Sequence, residues 1–454
     1  MAKKIETKWW VLIAIGTGTF MSALDASVVN IILPVLKESF NSSVATIEWV
    51  VTVYLLVISG MLLTFGRLGD LKGHKSIYIL GFSLFIFFSA LSGAAWSPTS
   101  LIVFRAMQAF GGAMLASNSA AIVTDNIAVN ERGKAFGLIS TMTYLGLTVG
   151  PVLGGWLTNI INWRMVFYIN IPVGLTAMFL SLRFIPKDKP TIEGQRFDVL
   201  GAVLFMTGLI ALMLGLNKGA DWGWGSPAVL GLLGFALIIL LVFVRLEKSI
   251  PSPMLDLKLF RNKVFTFSSL SSVLNYVAIY GVIFLMPFYL IQGRGFEPSL
   301  AGMIITIQSV LMAITAPISG NISDKIGSRL PGMIGLGIMS GGLLLLSTIQ
   351  STTGLWVILL GLALVGLGTG TFISPNTSAL MSSAPGSQQG VASAIQAEAR
   401  SFGMVVGIGL AGAIFTTHLA ANTSQALFIG VNKGFLAAAA VAAVGVITSY
   451  FKKN

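Results

Sequence analysis

The 454-residue chain has no cysteine and only two histidines, His74 and His418, which fall far apart in predicted loops. Disulfides and thiolate metal sites are therefore excluded, the redox compartment is left open, and a paired-histidine metal site finds no support. Charge is scarce as well. Only 10% of residues are Asp, Glu, Lys or Arg, against roughly 25% in soluble domains. The net charge of +12 is spread over short segments, with no folded soluble region to gather it into a nucleic-acid-binding patch. A phosphate loop is also missing: the stretch from Gly69 to Lys75-Ser76 lacks the Gly-Lys adjacency and follows no strand, so an ATP-driven pump is not indicated. No nucleophile-base pair or metal cluster stands at helix spacing, which argues against an enzyme, and no cofactor is expected.

Apolar sequence fills the chain instead, at 55% hydrophobic residues. Runs long enough to cross roughly 30 Å of hydrocarbon fall at 9–33, 47–66, 77–95, 99–124, 134–160, 166–185, 198–217, 226–245, 264–292, 299–322, 330–348, 355–380, 390–416 and 428–451. They predict an all-α integral membrane protein of 14 transmembrane helices. The first run follows Lys3, Lys4 and Lys8, but it is too long for a signal peptide and lacks a clean cleavage site, so it reads as a retained helix. Of the Lys and Arg residues in the connections, 21 fall on one side and 5 on the other. The positive-inside rule then places both termini in the cytoplasm of a cell-membrane protein.

Two charged stretches organise the chain. Gly66-Arg67-Leu68-Gly69-Asp70-Leu71-Lys72-Gly73-His74-Lys75 and Gly320-Asn321-Ile322-Ser323-Asp324-Lys325-Ile326-Gly327-Ser328-Arg329 match at Gly66/Gly320, Asp70/Asp324, Gly73/Gly327 and Lys75/Arg329 with one offset, 254 residues. A weaker echo at offset 257 aligns Glu131-Arg132-Gly133 and Gly146/Gly150 with Gln388-Gln389-Gly390 and Gly403/Gly407. Because both charged stretches follow even-numbered helices on the same side, the shift is eight helices. This predicts two six-helix bundles, 1–190 and 263–454, joined by an inserted pair with its linker at 191–262, the parallel-repeat plan of a rocking transporter. Within each stretch the glycines allow close approach and reversal, and the aspartate sits among cations at the interface. Gly66, Asp70, Gly73, Lys75, Arg132, Asp324 and Arg329 are thus expected to gate the inner side. An ordinary positive-inside loop would account for the cations alone.

These residues carry a family resemblance. Gly66-x-x-x-Asp70-x-x-Gly73-x-Lys75 resembles the loop 2–3 signature of the major facilitator superfamily, and the fourteen-helix plan resembles its drug:proton antiporter family with fourteen spans. Leu24-Asp25 through Pro34 is similar to that family's first-helix motif, and Arg105-Ala106-Met107-Gln108-Ala109-Phe110-Gly111-Gly112 to its fourth-helix motif, with Ala109 where the pattern usually has Gly. Gly146 through Gly155, with Gly150 and Pro151, resembles the fifth-helix antiporter motif, which the resemblance implies seals the cavity against leak. Plain small-residue helix packing would use the same residues. Trp163-Arg164 with Phe167, Asn170 and Pro172 looks like the start of the family's sixth helix.

Asp25 is the expected centre of the chemistry. An aspartate inside an apolar helix costs about 2.5–3.5 kcal/mol on insertion scales, so it faces a cavity or a partner. Counting helical rise puts Arg105 at a similar depth, with Gln108 one turn further along. Asp25 is expected to alternate between a proton and an ion pair with Arg105 or a cationic substrate; a fixed structural pair is the competing reading. Glu398 is a second candidate proton or cation site, though a plain interhelical salt bridge would also use it, while Arg400 with Gln396 on another face reads as a structural cap. Tyr54, Tyr144, Asn275, Tyr276, Tyr280, Gln308 and Asn376 are expected to line a cavity suited to flat, lipophilic cations. The sequence thus predicts a proton-coupled antiporter exporting amphipathic, cationic drug-like compounds. Its partners would be a small-molecule substrate, protons and lipid, and it would act as a monomer. An exporter of an endogenous lipid, peptide or metabolite, or a non-transporting membrane sensor, are the alternatives.

Overall fold

The computed structural model describes residues 2–188, 197–419 and 425–452. The bundle boundary expected at 190/191, and Lys189, Arg196 and Lys453 of the charge count, lie outside the described residues. Among the described residues there are helices and no strand. The first half contains α1 (Ala2–Ser39), α2 (Val44–Lys72), α3 (His74–Gly93), α4 (Pro98–Asn126), α5 (Arg132–Ile160), α6 (Met165–Tyr168) and α7 (Asn170–Phe184). The inserted pair is α8 (Val199–Trp222) and α9 (Pro227–Glu247). The second half contains α10 (Lys263–Pro287), α11 (Pro298–Ile326), α12 (Arg329–Leu346), α13 (Leu355–Ser383), α14 (Gln389–Leu419) and α15 (Ala426–Tyr450). Together they provide 14 spans, α6 and α7 jointly forming the sixth. An even number brings both chain termini to one end of the molecule, the terminus end.

Helix starts are written in the local sequence. Ser97 and Ser100 form a reciprocal capping box ahead of α4, with Pro98 at its first position. Asn262 Oδ1 accepts from Val264 N at 2.9 Å and opens the second half. Each such cap is worth about 1 kcal/mol.

The charged stretches at 66–75 and 320–329 are not loops. Residues 66–72 are the last turns of α2, His74 begins α3, and Gly73 alone makes the reversal at φ 94°. Gly327, at φ 83°, turns the chain between α11 and α12 together with Ser328, which caps α12. Glycine reaches this backbone region without a Cβ penalty, so at Gly73 one residue suffices and the charged side chains stay in helical register. His74, expected in a loop, is consequently buried, with Nδ1 2.8 Å from Asn118 Oδ1 and Nε2 3.5 Å from Asp70 Oδ1. His418 likewise falls within α14, and α1 runs on to Ser39 instead of ending at 33.

Packing divides the chain into two bundles. In the first, α1 lies on α5 and α7, and α4 on α2 and α3; in the second, α10 lies on α14 and α15, and α13 on α11 and α12. The bundles meet along two seams, α5 with α11 and α2 with α14. At the terminus end both seams reach backbone contact. A Cβ on Gly133 would overlap Gly320 O and one on Gly320 would overlap Gly133 O; Gly66 and Gly390 stand in the same relation. One turn deeper, Gly137 lies against Pro317.

Helix α5 serves two neighbours with two glycine stripes. Gly133 and Gly137 face α11, whereas Gly146, Gly150 and Gly154 face α1 at Phe20, Ser27 and Val28. Nine residues separate Gly137 from Gly146, two and a half turns, so the stripes lie on opposite sides of the helix. Pro151 follows in the same helix.

The inserted pair is placed asymmetrically. Helix α8 packs on both α2 and α14: a Cβ on Gly60 would meet Met206 and Ile210 at 3.1 Å, and Lys218 pairs with Glu48 at 3.6 Å. A shallow cleft between these three helices is lined by Thr52, Ser59, Met213, Asn217, Ser401 and Val405 among others. Helix α9 packs on α8 and turns Leu237, Ile238 and Leu241 outward.

A closed terminus end of this kind depends on bare backbone at the crossings. In a chain without native cysteine, a Ser374→Cys reporter beside Gly133 reacts slowly with an impermeant thiol reagent, and adding Gly320→Leu raises its labelling rate at least about tenfold, since closure then requires an overlap worth more than about 1 kcal/mol. Equal labelling in both proteins would show that the crossing is not needed for closure.

Candidate functional site

The aspartates of the two charged stretches reach across the seams to helix starts in the opposite bundle. Asp70 accepts from Gly390 N at 2.8 Å and Val391 N at 3.2 Å, at the beginning of α14. Asp324 accepts from Gly133 N at 2.8 Å and Lys134 N at 3.0 Å, at the beginning of α5. The free amides and positive dipole end of a helix favour an anion there. The cations do other work. Lys75 Nζ donates to Leu182 O at 3.0 Å and to Ile185 O, closing the end of α7. Arg132 Nη2 donates to Thr124 O at 2.7 Å, at the end of α4, and its Nη1 donates to Ser382 Oγ across the bundles at 3.2 Å. The Arg329 guanidinium lies over the Tyr450 ring at 4.3 Å. Ser374, which sequence reasoning did not single out, donates to Gly133 O.

Deeper in the first bundle, five helices converge on Asp25. Arg105 Nη1 donates to Asp25 Oδ2 at 2.7 Å and to Gln108 Oε1 at 2.8 Å, Gln108 Nε2 donates to Asp25 Oδ1 at 3.2 Å, and Asn170 Nδ2 donates to the same oxygen at 2.7 Å. Asn170 is itself fixed by Ser89 Oγ at 3.0 Å, and Ser89 donates to Phe167 O at 2.9 Å. The guanidinium also stacks on Tyr54, 4.1 Å from its ring centroid. Asp25 and Arg105 are each 1% exposed, so the charge pair survives only because donors and acceptors are matched. Asn170 and Ser89 were missed as partners: a single Asn at a helix start carries no depth signal of its own.

The second half supplies a different centre. Arg400 donates to Tyr280 and lies within electrostatic reach of Tyr276 and Tyr144, so it is held by tyrosines rather than by Gln396. Gln396 instead joins Ser272 at 3.1 Å and Thr377 at 3.2 Å. Tyr144 is buried in the apolar cluster of the second half, and its hydroxyl has no hydrogen-bond partner among the described residues. The same holds for both amide atoms of buried Asn275, for Gln308 Oε1 and for both carboxyl oxygens of Glu398. Asn376 lies elsewhere. It donates to Ser272 Oγ at 2.7 Å and Ser268 O at 3.0 Å, and its Oδ1 takes a hydrogen bond from Lys452, whose ammonium is buried over Phe372.

Comparison with known proteins agrees with this architecture. The profile of the Major Facilitator Superfamily matches residues 15–408. The chain is 33% identical over 452 residues to the riboflavin transporter RibZ of Clostridioides difficile, covering 98% of each chain. It is 32% identical over 418 residues to the multidrug resistance protein Stp of Mycobacterium tuberculosis, covering 92% of this chain and 78% of that one. Among solved structures, the human organic anion transporter MFSD10 superposes with a TM-score of 0.71 at 14% identity, over 97% of this chain and 99% of that one, a likeness of fold.

Two outcomes follow from the buried charges. Arg105→Met strands the Asp25 carboxylate and lowers stability by about 3–5 kcal/mol, whereas Asp25→Asn/Arg105→Met recovers part of the loss; thermal unfolding of the four purified proteins in one detergent measures this, and strictly additive losses would show the pair to be uncoupled. Burial pushes the Lys452 ammonium down to about 7 from its ordinary 10.5. The folded chain then binds fewer protons than the unfolded chain between those values, so this residue's contribution to stability is lowest below about pH 7 and rises towards about pH 10.5. Lys452→Met flattens that rise in unfolding midpoints measured over this range; an unchanged slope counts against the buried ammonium.

Proposed function

The chain belongs to the major facilitator superfamily, a family of transporters rather than enzymes, and from this we propose that it is a proton-coupled exporter of amphipathic, drug-like compounds at the cell membrane. The observation that carries the reading is the Asp25 carboxylate held by Arg105, Gln108 and Asn170. A proton on Asp25 removes the charge that holds Arg105, and loss of that proton restores the pair. The carboxyl group is thus matched either by Arg105 or by a proton, and protonation leaves the cluster one positive charge richer, with a guanidinium free to turn to another acceptor. Tyr54, stacked on Arg105, passes a movement of the guanidinium to the space between the bundles.

The gates supply the second half of the cycle. With both seams shut at the terminus end, substrate exchanges on the opposite side; opening requires Asp70 and Asp324 to leave their helix starts. With the termini in the cytoplasm, as the charge distribution supports, the closed shape is the one that releases substrate outward. The two six-helix units, 1–190 and 263–454, are the bodies that rock. A second reading, a carrier of an endogenous metabolite, is favoured by the match to a riboflavin transporter along nearly the whole of both chains.

Everted vesicles holding a pH dye, given an imposed proton gradient and a panel of anionic, neutral and cationic aromatic compounds, test the proposal. Compounds that are substrates drive proton movement in the wild type, and Asp25→Asn lowers that movement at least about a hundredfold, the scale of losing a positioned proton-transfer group. Full coupling in a folded Asp25→Asn protein would remove Asp25 from the proton path.

A further inference from the structure

We propose that the space between the bundles binds flat aromatic compounds through acceptor or anionic oxygens docked on Arg400 and its surrounding tyrosine hydroxyls, and that it disfavours the lipophilic cations expected from sequence. This inference rests on the reading of the region between the bundles as the substrate path.

The arrangement around Arg400 is drawn from both halves. Tyr54 on α2 and Tyr144 on α5 come from the first, and Tyr276 and Tyr280 on α10 come from the second. A group bonded by this set touches both rocking bodies at once. Two of the rings, Tyr276 and Tyr280, are only partly buried, as is Arg400 itself. Tyr144 is 5% exposed, and its hydroxyl lacks a partner among the described residues. A buried donor without an acceptor is costly, by about 1–3 kcal/mol, and a ligand oxygen removes that cost.

Charge decides the class of ligand. Asp25 is already matched by Arg105, Gln108 and Asn170, and Tyr54, stacked on Arg105, is the ring of this cluster that lies within electrostatic reach of Arg400. Glu398 stands two residues from Arg400 and therefore on a different face of α14. What remains facing the tyrosines is a guanidinium. A planar cation stacked there gains the aromatic faces but meets a like charge, whereas a carboxylate, phenolate or imide oxygen meets a fork of donors suited to two parallel hydrogen bonds. The neighbouring wall is flat and apolar: Phe284 contacts Phe288 at 5.2 Å and Phe288 contacts Phe415 at 4.9 Å between ring centroids. Together these features select an aromatic plate with acceptor oxygens on one edge.

Two xanthene dyes of one shape and opposite charge test this directly. Fluorescein serves as the anion and tetramethylrhodamine methyl ester as the cation, with riboflavin as a neutral plate rich in acceptors; binding to the purified full-length chain is read by fluorescence titration without a proton gradient. Fluorescein is expected to bind at least about tenfold tighter than the rhodamine, the scale of one charge-assisted hydrogen bond, with riboflavin in between. Arg400→Gln abolishes the preference, and Tyr280→Phe, which removes one hydroxyl, reduces it while leaving the fold intact. Equal or tighter rhodamine binding, no saturable fluorescein binding, or a preference unchanged in Arg400→Gln overturns the inference. If Arg400→Gln does not fold, the wild-type preference and its reduction in Tyr280→Phe decide the matter. Transport is scored separately in the everted vesicles: fluorescein bound but never moved against protons removes the exporter reading and leaves the binding class standing, while proton-driven rhodamine efflux without fluorescein binding does the reverse.

Discussion

Two carboxylates, each taking hydrogen bonds from the first backbone amides of a helix in the opposite bundle, tie the two bundles together at the terminus end. A helix start offers unpaired amides and a favourable dipole, so Asp70 and Asp324 need no cation at the other side of the seam. Each of these charge-assisted bonds is worth about 1.5–3 kcal/mol, enough to hold a seam. The glycine crossings make the contact possible, because any side chain at Gly66, Gly133, Gly320 or Gly390 would hold the amides out of reach. The fold and the two inter-bundle contacts therefore share one requirement, which is bare backbone at four places.

The charged residues inside the membrane fall into two groups with different logic. Around Asp25 both carboxylate oxygens and the Arg105 guanidinium have partners, and of the surrounding amides Asn170 Oδ1 is left without one among the described residues. Around Arg400 and in the second half the balance is incomplete, with unpartnered atoms on Tyr144, Asn275, Gln308 and Glu398 among the described residues. A satisfied network is rigid and specific, while an unsatisfied one is waiting for a ligand or for a different arrangement of the bundles. Tyr54 stands between the two, with its ring on Arg105 and Arg400 within electrostatic reach.

Much of the fold was legible because a membrane leaves little choice: apolar runs of sufficient length become helices, and all fourteen spans lie where hydropathy puts them, to within several residues at their ends. Depth counting placed Asp25 and Arg105 at one level, and they are in contact. The charged stretches were misjudged as loops because polarity at a helix end resembles polarity in a turn, and only the single positive φ at Gly73 distinguishes them. The environment of Arg400 was illegible for another reason. Its tyrosines come from three helices widely separated in sequence, and a mid-helix arginine signals that partners exist without naming them. The same holds for Asn170, whose importance appears only when α7 is laid beside α1 and α3.

The crosswise pairing of the repeat echoes carries an ancestral meaning. Each half owns one aspartate at the end of its second helix and one glycine-led amide pair at the start of its fifth, and each aspartate reaches the amides of the other half. That is a self-complementary, two-fold surface: a single half, as a separate chain, would close on a copy of itself through both contacts at once. Such a homodimer could change its two latches only together. Joined in one chain, the copies have been free to drift apart, and they have done so. Beside Asp70 stands the imidazole of His74, 3.5 Å from its carboxylate, while the matched position beside Asp324 is Ser328.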